Sequence, residues 1–139
     1  MVNHVAIPLT QIYPIPAENG PQAAASAYAQ TLADIELFDF VLLGLGEDGH
    51  TASLFPGHEL GSTADAPAVL AVENAPKYPP QRVSLSAYRL SAARKVMFMV
   101  SGAMKQQAVR DWRYGVAIPA AAISPTSGVD VYLEAALLV

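Results

Sequence analysis

The sequence predicts an α/β fold built on a mainly parallel sheet, and three observations carry that expectation. Residues 38–57, FDFVLLGLGEDGHTASLFPG, take an apolar run straight into a glycine-rich turn. Such a run without alternation is expected of a strand buried on both faces of a parallel sheet. Residues 95–113 repeat the order: the apolar run Lys95 to Val100, a Ser101-Gly102 break, then a helical pattern to Arg113. Finally, an alanine-rich helical stretch feeds directly into the first strand, the alternation expected of α/β units. At 139 residues the chain has the length of one domain with its own core, spanning 1–139.

Taken in order, residues 1–21 hold Pro8, Pro14, Pro16 and Pro21, which preclude a long helix and predict an extended surface segment. Ala24, Tyr28, Leu32 and Ile35 then recur at helical spacing with no interior Gly or Pro, predicting a helix over about 21–35. The strand at Phe38 to Gly44 follows, with Phe40 to Leu43 as its buried centre. After the polar stretch HELGSTADAP, residues 68–74 read as a short strand, and Pro79-Pro80 marks a rigid extended connection. Arg82 to Ser86 alternates as a half-exposed strand does, Ala87 to Arg94 reads as a short helix, and the second apolar strand comes next. Ala103 to Arg113 is helical, with Met104, Ala108 and Trp112 along one side. Pro119 to Ile123 reads as a helical turn and Val129 to Leu133 as the last strand.

Composition narrows the function. Hydrophobic residues make up 53% of the chain and charged residues 14%, which excludes a disordered chain and leaves apolar surface for a partner to cover. A net charge of −4 with no local cluster of Lys or Arg argues against nucleic acid. Without cysteine there is no disulfide framework, no thiolate metal site and no thiol nucleophile. The first residues lack a basic start followed by an apolar core, and no apolar run approaches the ~20 residues of a membrane helix. The expectation is a cytoplasmic protein, without membrane partners.

His50 has two readings from the residues alone: it caps or packs the turn, or it is a general base. A neutral imidazole beside Asp48 and Glu47 has what base chemistry needs, a carboxylate within reach to fix the tautomer. Asp48 either plays that part or caps a helix beginning near Thr51. Gly44, Gly46 and Gly49 would let main-chain N–H groups approach a ligand closely. Their G-x-G-x-x-G spacing superficially matches a dinucleotide fingerprint, but Asp48 and His50 crowd the turn and no convincing acidic residue lies ~20 positions on. No cofactor is expected. His4, His50 and His58 lack the paired spacing of a metal helix, so no metal is expected either. Lys105, opening a helix after a buried strand, reads as a phosphate ligand or a solvated surface lysine. Arg82, just behind Pro79-Pro80, reads as a bidentate anion clamp or a surface ion pair.

These residues resemble a known family. FDFVLLGLGEDGHTASLFPG looks like the signature loop of 6-phosphogluconolactonases. APKYPPQRVSLS resembles their Ala-Pro-Lys, Pro-Pro, Arg-Val-Thr-Leu segment, with Ser84 where threonine is common, and SGAMKQQAV resembles their Gly-x-x-Lys helix start. The related glucosamine-6-phosphate deaminases share the Gly-x-Asp-Gly-His turn but continue with Ile-x-Phe-Asn-Glu-Pro, where this chain has Thr51 to Gly57. The resemblance implies a Rossmann-like three-layer α/β sandwich and metal-free hydrolysis of a sugar-phosphate lactone, 6-phosphoglucono-1,5-lactone. It further implies His50 as base, Asp48 orienting it, and Gly44, Gly46, Gly49, Arg82 and Lys105 binding substrate. It covers residues from about 20 onward and corresponds to the C-terminal part of a lactonase. The N-terminal glycine-rich phosphate loop and Glu-Arg segment of the family have no counterpart. The sheet is therefore expected to be incomplete at its N-terminal side, leaving either a weakly active or inactive sugar-phosphate-binding remnant, or a chain completed by a second copy or an N-terminal half.

Overall fold

The computed structural model describes residues 4–138. Three strands form a parallel sheet in the order β1 (Val41–Gly44), β4 (Val96–Val100), β5 (Val129–Leu133). Two more, β2 (Val69–Val72) and β3 (Arg82–Leu85), form a separate antiparallel hairpin. Helix α1 (Pro21–Thr31) packs on that hairpin, α2 (Ala87–Ser91) follows it, and α3 (Gln106–Arg113) links β4 to β5.

Residues 4–20 are mostly exposed and bend through two short 3-10 turns, as four prolines in 21 residues require. Pro21 then starts α1 at the first helical position, where its missing N–H costs nothing. The helix stops at Thr31 rather than 35, because its last residues close as a tighter turn at Leu32. Ala25 and Leu32 meet Val69 of β2, giving the hairpin a small core of its own. The expectation that α1 and β1 form one packed α/β unit is thus replaced by a helix lying on the antiparallel pair.

The expectation of a first strand buried on both faces fails. β1 alternates: Val41 and Leu43 are buried, whereas Leu42 is 53% exposed and the preceding Phe40 is 49% exposed. The register explains this. Val41 and Leu43 lie beside Val96 and Phe98 on the covered face, where Phe98 meets the Trp112 ring of α3 edge-on at 4.8 Å. Leu42 lies beside Met97, and Gly44 beside Met99, which in turn pairs with Tyr132, on a face that no helix covers among the described residues. Met99 and Tyr132 are 60% and 59% exposed. β1 is also the sheet's edge, hydrogen-bonded on one side to β4.

The main core fills the covered face with Val96, Phe98, Leu54, Phe55, Leu90 and their neighbours. Arg89 is buried within it, its guanidinium donating to the carbonyls of Ile35 and Glu36 and lying 4.1 Å from the Phe38 ring centroid. It pins the segment that enters β1. No helix among the described residues is long and apolar enough to cross a membrane.

Candidate active site

All three parallel strands run the same way, so the loops after β1, β4 and β5 gather at one edge of the sheet. That carboxyl-end edge is where open α/β sheets bind ligands. It carries His50 after β1, Lys105 after β4 and Glu134 after β5.

The loop after β1 is built to hold one ring. Gly46 donates its N–H to the His50 carbonyl at 2.7 Å, and Gly49 donates to Gly46 at 3.1 Å, so the turn closes on itself. A Cβ on Gly46 would stand 1.9 Å from His50 Nδ1, so the absent side chain is the space the imidazole occupies. Gly49 has φ +81°, and a Cβ there would strike Ile118. Its carbonyl accepts the Ala120 N–H, which ties the turn to the segment before β5. Thr51 is 1% exposed and donates its hydroxyl back to the Gly44 carbonyl at 2.8 Å, closing the loop's base. Ala52 takes φ +49°, an uncommon conformation for a residue with a Cβ, next to this constrained turn.

Asp48 lies against the histidine. Its Oδ1 is 2.5 Å from His50 Nδ1 and also accepts the His50 N–H at 3.2 Å. An ionised carboxylate only accepts, so Nδ1 carries a proton, and in the neutral imidazole Nε2 is then the nitrogen with the lone pair. The Asp48 carboxyl is kept ionised: partial burial pushes it up, but the bonds from the ring and N–H of His50 and the attraction between them outweigh that and leave it below its ordinary 3.8. The expected helix cap at Asp48 is absent, because residues 51–58 form turns and not a helix. Of the two alternatives, the structure has Asp48 at the imidazole.

Arg82, at the start of β3, is held by the loop before it. Nε donates to the Pro79 carbonyl, and Nη2 to the carbonyls of Lys77 and Tyr78; the Tyr78-Pro79 peptide bond is cis. The guanidinium lies 5.4 Å from the Phe55 ring centroid, and the same ring is 4.8 Å from the His50 ring. Arg82 and His50 thus share a neighbour. Lys105 sits in the 3-10 turn that opens α3 and makes no ion pair among the described residues. Beside that turn, Glu134 accepts the Gly102 N–H at 3.3 Å. Lys105 therefore shares the edge with His50 but not its contacts.

Phe55, Thr51, Ser84 and Ile118 hold the site together and were not singled out from the residues. Ser84, 2% exposed, accepts the Ser53 N–H and so moors the loop to β3. Phe55 and Thr51 stood inside the signature stretch. Nothing local marks Ile118, whose role follows from a contact 69 positions away from Gly49.

The family model for glucosamine-6-phosphate isomerases/6-phosphogluconolactonase matches residues 1–132. The 6-phosphogluconolactonase of Mycobacterium leprae is 37% identical over 121 residues, a match covering 78% of this chain and 49% of that protein. The 6-phosphogluconolactonase of Homo sapiens is 36% identical over 138 residues, covering 92% of this chain and 53% of that one. The solved structure of the Thermotoga maritima 6-phosphogluconolactonase matches with a TM-score of 0.83 over 96% of this chain and 60% of its own; at 21% identity it speaks for the fold alone. The chain spans about half the length of the curated relatives it matches. Its parallel sheet and flanking helices share the Rossmann-like α/β fold of those neighbours, and the chain belongs to the glucosamine-6-phosphate isomerase/6-phosphogluconolactonase family.

Proposed function

We propose that this chain carries the hydrolytic half-site of a 6-phosphogluconolactonase, converting 6-phosphoglucono-1,5-lactone to 6-phosphogluconate without metal or cofactor. The observation that carries the reading is the His50–Asp48 pair at 2.5 Å, held over Gly46 at the carboxyl edge of the sheet. His50 Nε2 takes a proton from water as the oxygen attacks the lactone carbonyl, and returns it to the ring oxygen when the tetrahedral intermediate collapses and the C–O bond breaks. The Glu47 N–H makes no backbone hydrogen bond within the turn and is available to the developing oxyanion. Gly44, Gly46 and Gly49 serve the substrate by shaping this turn.

Lys105 and Arg82 bind the phosphate, fixing the carbonyl over the base. Because Nε and Nη2 of Arg82 are already engaged, the anion is met through Nη1. The exposed sheet face of Leu42, Met99 and Tyr132 takes up a complementing α/β segment, whose helices cover it as parallel strands require. A deaminase reading is disfavoured by Thr51 to Gly57, which offers no acidic residue after the histidine. Assaying the lactone and glucosamine-6-phosphate side by side tests the choice. Release of 6-phosphogluconate alone supports the lactonase, and release of ammonia from the amino sugar would overturn it.

A further inference from the structure

We infer that Phe55 is a positioning residue that fixes the general base relative to the anion ligand. The inference rests on the reading of His50 as base and Arg82 as phosphate ligand. Phe55 is fully buried, so its ring has one place to be. The His50 imidazole lies 4.8 Å from it at an interplanar angle of 37°, and the Arg82 guanidinium 5.4 Å from it. The His58 ring closes a further side at 6.0 Å, edge-on. Each partner is separately anchored within its own loop: His50 by the Asp48 carboxylate and the vacancy at Gly46, Arg82 by the carbonyls of residues 77–79.

Those anchors belong to two loops, one following β1 and the other preceding β3, in different sheets. Phe55 is in contact with both. A rigid aromatic plate between them converts two local geometries into one fixed separation, which a substrate gripped at one end and attacked at the other requires. A flexible aliphatic side chain would fill the same volume without holding either ring or guanidinium at a set distance and tilt.

The test follows the His50 Hε1 and Arg82 Nε–Hε resonances of the full chain during titration with 6-phosphogluconate, in the native protein, Phe55→Leu and Phe55→Met. Two replacements are used so that a packing failure peculiar to one shape does not decide the result. The inference predicts that the native chain responds at both resonances. In the folded variants the Arg82 response persists with a dissociation constant within about threefold of the native one, whereas the His50 response is largely lost. Unchanged responses at both resonances in the variants would overturn the role of Phe55 and leave the base assignment standing. A native chain that responds at Arg82 but not at His50 would overturn the reading of His50 itself. Silence at both would remove both readings.

Discussion

At the residue scale the site is defined by what is missing as much as by what is present. Gly46→Ala places a methyl where the imidazole lies, so it should abolish lactone hydrolysis as fully as loss of the base, while circular dichroism keeps the native form and melting falls by no more than loss of the Asp48 pairing explains. Loss of the base itself is worth ~10²–10⁴ in rate. Asp48 supplies a pH prediction. Its carboxyl is depressed in the fold, so its contribution to stability is complete above the ordinary carboxylate value and is lost as pH falls through the lower folded value. Asp48→Asn should therefore flatten the acid limb of unfolding free energy below about pH 4, where a denaturant series reads it. An acid limb as steep as native would contradict the pairing. The identity of this pair was legible in the sequence because a carboxylate two residues before a histidine in a glycine turn has few other partners. Whether it caps or orients was not legible, because that depended on whether a helix followed.

At the element scale, strand identity and order were legible from apolar runs and glycine breaks, and β4, α3 and β5 lie where those patterns place them. Burial was not. The run Phe40 to Leu43 carries no alternation to read, so nothing local distinguished a central strand from an edge strand with one bare face. Sheet membership of β2 and β3 was equally hidden, since pairing across residues 73–81 is a long-range choice. The covered face of the sheet yields a stability prediction. Phe98 lies at its centre against Trp112, and Phe98→Ala should cost roughly 3–5 kcal/mol in chemical denaturation. Arg89→Met keeps most of the side-chain volume but leaves the Ile35 and Glu36 carbonyls without their donors. It should cost roughly 2–3 kcal/mol, and a loss below 1 kcal/mol would mean that water replaces the guanidinium freely.

At the scale of the whole molecule, one sheet face is packed and the other is open among the described residues, an unusual state for parallel strands. Leu42, Met99 and Tyr132 are each more than half exposed, so lysines at the first two should leave the melting temperature nearly unchanged. The Leu42→Lys, Met99→Lys double variant should bind less hydrophobic dye and associate less than the native chain by sedimentation velocity. No difference between the two would mean that this face is not the adhesive one. The loop that carries His50 sits at the end of the same sheet, reached from the packed side by Phe55 and Ile118, so its geometry depends on the core rather than on the open face. The most direct measurement is turnover of 6-phosphogluconolactone, generated in situ and followed as 6-phosphogluconate, by the purified chain and by His50→Ala. The account predicts turnover above buffer hydrolysis that falls ~10²-fold or more in the variant. Equal rates in the two proteins, or no turnover from a folded native chain, would contradict it.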